Sequence, residues 1–540
     1  MIQLKLANSL QKLWNEDLPA QACGKLVGFQ NEVLGIQLAV KNTGVPADCR
    51  FEIRSALPIT MRKVGYVPGE FTYHPDSDDY VIAKDLHLFP DPLIPFDEKN
   101  FVLKGNCVNV FWITAGNGES VAAGEYRTEI FLMTQKGDLQ GQISFEICIM
   151  KGELPATDLA VTDWLHYDCI CNYYHIRPFG KKFWELTGTF IGTAVRHGIN
   201  TVYVPLFTPP LDTQVGGERT TVQLIDIKKE GNKYNFNFSR LEKFLSFAEM
   251  LGVRYFEFSH LFTQWGAQAA PKIVAEEDGK TKKIFGWETK ADGAEYTAFL
   301  ESFLPQLGAF LERKGLKERA FIHISDEPSE YWLKDYTARR ALVKRLLPDF
   351  THIDALSEIA FLEKGLVDIP VAATDSAEQF AKSGREYWVY YCFPQCRNYL
   401  SNRMMNMPSE RTRIIGMQLY RNGARGFLHW GYNFYNTALS RRSVDPFFET
   451  DAGGSFQSGD SFIVYPGEKG AIDSLRLESF REGMQDYRAL LLLEKYAGRE
   501  KVLAFLHEEG IDGFTQYPHG HEKFLAVRQK LNELIADCMK

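Results

Sequence analysis

The chain has no run of about 18 apolar residues and no basic leader with an apolar core behind Met1, so neither a membrane span nor a secretory signal is expected. Positive charge is also short. A net charge of −8 over 540 residues argues against a nucleic-acid or anionic-membrane partner. The nine cysteines are odd in number and scattered, unlike a disulfide framework, and with the missing leader they suggest a cytoplasmic protein. Cys169-x-Cys171 and Cys392-x3-Cys396 lack both the two-residue gap of a zinc knuckle and a matching second pair. Buried free thiols are therefore expected, with no metal and no cofactor. No Gly-x-Gly-x-x-Gly or Gly-x4-Gly-Lys-Ser/Thr follows a candidate strand, which removes the usual nucleotide sites.

Aromatic side chains, by contrast, are plentiful. There are 39 Phe, 24 Tyr and 9 Trp, more rings than a core alone needs, which favours an aromatic-lined cleft of the kind that stacks on sugars. The remaining composition, 45% hydrophobic and 24% charged, is that of a globular protein, and the length suits two or three domains.

Residues 1–155 alternate apolar and polar positions in short runs separated by Gly, Pro, Asn and Asp turns, the pattern of a β-sandwich. Lys151-Gly-Glu-Leu-Pro155 reads as a linker. From residue 159 the rhythm becomes strand then helix. Candidate strands at 159–167, 201–207, 254–259, 320–325, 352–355, 371–374, 388–392 and 426–430 alternate with helical patterns. Eight such units predict a (β/α)8 barrel, a TIM-like catalytic domain over 156–500, with a C-terminal helical extension over 501–540. The fold class is thus all-β followed by α/β, with a helical tail.

Barrel enzymes build their sites at the carboxyl ends of the strands, and nearly every candidate strand here turns polar or aromatic at that end. The most informative is Arg319-Ala-Phe-Ile-His-Ile-Ser-Asp-Glu-Pro328, where a buried-strand pattern runs into His323, Ser325, Asp326 and Glu327. Neighbouring strand residues face opposite ways, so Asp326 joins Glu327 in one pocket only if the strand has ended or twisted by then. Two carboxylates without a metal or nucleotide signature suit glycoside hydrolysis. Adjacent side chains cannot flank a sugar ring from opposite faces, which points to a substrate-assisted reaction: Glu327 as acid/base and Asp326 as partner of a 2-acetamido group. Further substrate-binding candidates at strand ends are His166, Asp212, Glu257, His260, Gln264, Trp265, Tyr391, Trp430, Tyr432 and Asn433. His323, deeper in its strand, is expected to support the acid.

His323-Ile-Ser-Asp-Glu-Pro328, Trp164-Leu-His-Tyr-Asp-Cys169, Val464-Tyr-Pro-Gly467 and the segment from Ser474 to Tyr487 resemble glycoside hydrolase family 123 and its relatives, also called domain of unknown function 4091. The resemblance implies a β-sandwich, a catalytic (β/α)8 barrel, a carbohydrate substrate, and retaining, exo-acting β-N-acetylgalactosaminidase activity with the pair at Asp326 and Glu327. Two other readings stand beside it. One is a retaining β-glycosidase whose nucleophile is a carboxylate from another strand end, such as Glu257 or Asp163, acting on a sugar without the acetamido group. The other is a non-catalytic carbohydrate-binding barrel.

Overall fold

The computed structural model describes residues 1–20 and 23–540. The N-terminal part is two five-stranded sheets, one ordered Ile2–Asn8, Leu34–Asn42, Cys107–Ala115, Ile59–Gly69, His87–Ile94, the other Lys25–Phe29, Leu139–Met150, Gly124–Thr134, Ala47–Arg54, Phe101–Leu103. Their pairings are antiparallel except for the parallel contact of Lys25–Phe29 with Leu139–Met150. Alternate residues of the two sheets, such as Ile36, Leu38 and Phe111 from one and Phe51, Ile130 and Phe145 from the other, share one core. This is the sandwich that the alternation predicts.

Eight parallel strands then close into a barrel: β1 (Ala160–Asp163), β2 (Thr201–Val204), β3 (Tyr255–Phe258), β4 (Ala320–Ile322), β5 (Thr351–Ala355), β6 (Ile369–Ala373), β7 (Trp388–Tyr390) and β8 (Gly426–His429). Every predicted barrel strand is present, most of them shorter than the apolar run that signalled it. Because helices cover the outside and side chains fill the inside, these strands are buried on both faces and read as apolar runs. Ala160, Tyr203, Phe321, Ile353, Val371, Trp388 and Leu428 pack inside, while their neighbours Val161, Val202, Phe256, Ile322, Ala372, Val389 and Phe427 join the core under the helices. Ala160 pairs with Gly426 where β8 meets β1. A Cβ at Gly426 would stand 2.2 Å from the Trp388 ring, so only glycine lets the indole fill that end of the barrel.

The loops after β2 and β3 each carry a hairpin, and the two make a four-stranded sheet from Asp226–Glu230, Lys233–Asn237, Ile273–Glu277 and Lys280–Phe285. Its lysine- and glutamate-rich strands gave no apolar run to detect. The Leu475–Ala497 helix starts at Ser474, whose hydroxyl accepts from Leu477 N at 3.1 Å. Its polar residues face inward. Arg413 pairs with Glu482 and Asp486 at 2.7 Å, and Arg528 of the last helix bonds Glu32 of the sandwich at 2.7 Å. The charged motif of the tail therefore locks sandwich, barrel and terminal helix together, away from the strand-end cleft. Among the described residues no helix is long and apolar enough to cross a membrane.

Candidate active site

Strand β4 stops at Ile322, and the next residues leave the ladder for other partners. Ile324 N donates to Asp354 Oδ1 at 3.0 Å, the Ser325 hydroxyl to Thr263 O at 2.8 Å, and Trp265 N to Asp326 O at 2.9 Å. Glu327 then takes a left-handed backbone, φ +44°, which costs an L-residue free energy and concentrates at functional sites. That turn breaks the alternation, so Asp326 and Glu327 both line one cavity of about 180 Å³ at the strand ends. The two neighbouring loop residues on the same rim, Asp212 (φ +39°) and Trp265 (φ +57°), share the strained conformation.

The cavity is walled by Trp164, Trp265, Tyr390, Phe393, Trp430 and Phe456, with Asp212, Gln264 and Asp460 as polar members beside the carboxylate pair. It has the mix of rings and a few convergent polar groups expected of a small-ligand site. Glu327 is open to solvent through the mouth, yet its carboxylate is crowded by protein. Tyr390 donates to Glu327 Oε1 at 2.9 Å. Asp212 accepts from Leu439 N at 3.0 Å and its own N–H donates to Gln264 Oε1 at 2.5 Å. Trp430 donates its indole N–H to Asp460 Oδ2 at 3.1 Å. A larger groove of about 690 Å³ runs along the accessory sheet, but its charges are tied in surface pairs such as Arg240 with Asp226 at 2.7 Å.

Beneath the cavity floor lies a fully buried polar cluster. His323 lies 2.5 Å from Glu257 and 3.1 Å from Asp354, and His260 stacks on it with ring centroids 4.2 Å apart. Thr162 and Trp164 donate to the two oxygens of Glu257 at 2.6 and 2.9 Å, and Tyr336 donates to Asp354 at 2.5 Å. His260, His323 and Asp354 lie close enough to share an ion. Both nitrogens of His323 are already engaged by carboxylates, and His260 Nδ1 meets the Tyr203 hydroxyl at 2.9 Å.

Burial sets the charge states. It pushes Asp326 well above the carboxylate range, and the adjacent Glu327 charge adds to the rise. Glu327 is raised by burial too, with the Tyr390 and Trp265 hydrogen bonds pulling partly back. Such a pair titrates as a unit, and burial of both carboxyls favours the protonated form that a general acid uses. Burial lifts Asp212 to about 6 and Asp460 to about 7. It would lower His323, but the hydrogen bonds that its ring donates to Asp354 and Glu257 dominate and raise it to about 9.

Of the residues named from sequence, Asp326, Glu327, Asp212, Gln264, Trp265 and Trp430 meet at the cavity, while Glu257, His260 and His323 form its support. Asp163, a nucleophile candidate, is buried and paired with Arg403. His166 stands behind Trp430, bonded to its carbonyl at 2.8 Å and to Arg219 at 3.0 Å, and burial and Arg219 lower its pKa to about 3. Asn433 fixes the His166 backbone at 2.8 Å, Tyr432 donates to Phe190 O at 2.9 Å, and Tyr391 packs outward on Phe427. These four do not line the cavity. Tyr390, Trp164, Asp354 and Asp460 are absent from the sequence-derived set. For Tyr390 a signal existed: Trp388 and Tyr390 share the inner face of β7, and Tyr391 must then point out.

Comparison with known proteins supplies the remaining observation. The sequence profile described as "Glycoside hydrolase 123, catalytic domain" matches residues 164–493, more than half of the chain. A solved family 123 glycoside hydrolase from Clostridium perfringens, described in terms of glycolipid glycan hydrolysis, is 15% identical, with a TM-score of 0.75 over 100% of this chain and 98% of its own. A Bacteroides uniformis β-glucuronidase (12% identity, TM-score 0.31, 86% of this chain and 48% of its own) and the Thermotoga petrophila endo-β-1,4-mannanase (11%, 0.35, 62% and 78%) are much less similar and bear on no conclusion. No curated protein sequence matches. With its barrel, its strand-end carboxylates and a family match that takes in seven of the eight barrel strands, the chain belongs to glycoside hydrolase family 123.

Proposed function

We propose that this glycoside hydrolase is a retaining, exo-acting β-N-acetylgalactosaminidase that uses the 2-acetamido group of its substrate as nucleophile. The observation that carries the reading is the placement of Asp326 and Glu327 on one wall of a cavity with room for little more than one sugar ring. Carboxyl groups so placed cannot attack and protonate from opposite faces of the anomeric carbon, whereas an acetamido oxygen already lies beneath it. The direct-nucleophile candidates offer no free oxygen: Glu257 is wholly buried and bonded at both oxygens, and Asp163 is buried against Arg403.

In this mechanism Glu327, whose protonated form burial favours, gives its proton to the glycosidic oxygen as the acetamido oxygen bonds to C1 and the leaving group departs. Asp326 accepts the amide N–H and balances the positive charge of the oxazolinium ring. That donor and that charge favour the ionised carboxylate, and the Asp326 proton passes to water as substrate is engaged. Glu327, now a carboxylate, takes a proton from water as the water oxygen opens the ring at C1, and configuration is retained. Trp430 and Asp460 would hold the sugar face and its hydroxyls.

A panel of nitrophenyl glycosides tests the reading. Turnover of the 2-acetamido-2-deoxy-β-galactoside, with the β-galactoside and β-glucoside inert, is expected. Efficient turnover of a sugar without the acetamido group would refute it.

A further inference from the structure

The loops after β7 and β8 supply part of the cavity wall but have little structure of their own. Cys392 and Phe393 come from the first, Phe456 and Asp460 from the second. Both run through turns and irregular backbone, over 391–408 and 441–464. Loops of that length without regular structure are uncommon in compact domains and need outside partners to hold one conformation. Here the partners come from the sandwich.

A strap of the sandwich, residues 70–86 between its strands Ile59–Gly69 and His87–Ile94, lies along both loops. Toward the second, Ser458 N donates to Phe71 O and the Gln457 amide to Thr72 O, each at 2.9 Å. Toward the first, Asp78 N donates to Cys396 O at 3.2 Å and Ile82 N to Asn406 O at 2.8 Å. The Asp78 carboxylate accepts from both terminal nitrogens of the buried Arg411 and from Tyr399 N, all at 2.7 Å, and the Tyr399 hydroxyl donates to Asp79 at 3.0 Å. Asn398 and Tyr399 are left-handed at this point, φ +55° and +59°, a conformation that persists in such residues only where the surroundings impose it. Rings complete the link. Phe71 meets His74, His74 meets Phe393 and Phe393 meets Phe456 with centroids 5.9, 6.0 and 5.5 Å apart, and Phe456 reaches Trp430 at 5.3 Å. Deeper in the interface Asp91 of the sandwich pairs with Arg476 at 2.8 Å, and Arg476 donates to Gly459 O at 2.6 Å, beside Asp460.

We infer that the sandwich is a working part of the catalytic site: its strap, through Asp78 and His74, sets the position of the Phe393–Phe456 wall against which the sugar packs. Neither residue lines the cavity, so both are positioning residues. The tail already ties sandwich to barrel through Arg528 and Glu32. The strap contacts go instead to the loops that wall the cavity, and they hold one of them in a strained turn. Dispersion contact falls steeply with distance, a gap of about 0.5–1 Å forfeiting a quarter to a half of it, so a small shift of the wall weakens its hold on the sugar. That hold is the same in the ground and transition states, so its loss raises KM and leaves kcat unchanged. The inference requires that the cavity hold the sugar; it does not require that the acetamido group be the nucleophile.

Steady-state kinetics on the nitrophenyl 2-acetamido-2-deoxy-β-galactoside test it. His74→Ala, which leaves the Asp78–Arg411 pair intact, should raise KM roughly 2- to 30-fold, the range of couplings carried by packed side chains. Its kcat and the alkaline limb of its pH profile should match the wild type, because Glu327 and Tyr390 are untouched. His74→Phe keeps a ring against Phe393 and should restore KM. Asp78→Asn should raise KM in the same way; it strips Arg411 of its counter-charge and puts folding at risk, so the two His74 variants decide. An unchanged KM in His74→Ala, with or without a lower Tm, would overturn the inference and leave the strap a stabilising contact. So would a fall in kcat at constant KM, or a His74→Phe enzyme as impaired as His74→Ala. Should the wild-type enzyme accept only the β-galactoside without the acetamido group, the catalytic reading fails, and the same KM comparison on that glycoside still decides the strap.

Discussion

His323 Nε2 lies 2.5 Å from Glu257 Oε1 with neither side chain exposed, and the same ring reaches Asp354 at 3.1 Å. The imidazole thus anchors the end of β4 immediately below the carboxylate pair. Its pKa of about 9 lies above the ordinary histidine value of 6.5, so the charged form favours the folded state. The stabilisation is fully present below about 6.5 and is lost as pH rises through about 9. Thermal unfolding monitored from pH 6 to pH 10 should show Tm falling over that window. His323→Gln should be less stable throughout, by about 3–5 kcal/mol for breaking a buried pair, and should lack that limb. An unchanged slope would place the titration elsewhere.

Glu327→Gln removes the proton donor, and a loss of about 10²- to 10⁴-fold is expected on a natural glycoside. A dinitrophenyl leaving group departs with little help, so the loss on that substrate should be much smaller. Steady-state kinetics on both kinds of substrate check the role, and equal losses would contradict it.

Tyr390 donates to Glu327 at 2.9 Å, a bond that favours the ionised carboxylate. Tyr390→Phe should therefore raise the Glu327 pKa. Because the acid works protonated, the alkaline limb of kcat/KM should move to higher pH, by about one unit for a hydrogen bond worth about 1.4 kcal/mol. A downward shift, or a change in KM with no change in the pH profile, would mean that Tyr390 serves the substrate and not the acid.

Much of this was legible in the sequence, for identifiable reasons. The barrel strands are buried on both faces and announce themselves as apolar runs, whereas Asp226–Glu230 and Lys280–Phe285 pair on the surface with few apolar residues and read as loop. Asp326 and Glu327 stood out because charge follows a buried strand, but their shared direction rests on φ +44° at Glu327, which no pattern encodes. His166, Tyr432 and Asn433 looked like site residues because they follow barrel strands. The segment after β8 instead folds back, Tyr432 N bonding Trp164 O at 3.2 Å, and turns those side chains into its own support. Asp460 comes from a loop far along the chain with no strand before it, so nothing local marked it.

The central claim is that Asp326 serves an acetamido nucleophile. Asp326→Asn should slow turnover without abolishing it, because the amide can still orient the group but cannot balance the oxazolinium charge. The most direct measurement is inhibition by the thiazoline analogue of that ring derived from the 2-acetamido sugar. Competitive binding to the wild-type enzyme at least about 100-fold tighter than substrate, and weakened in Asp326→Asn, is the predicted result, since species resembling the reaction's high-energy intermediate bind preferentially. No affinity beyond that of the parent sugar, together with a covalent adduct from a 2-deoxy-2-fluoro glycoside on the intact protein, would contradict it.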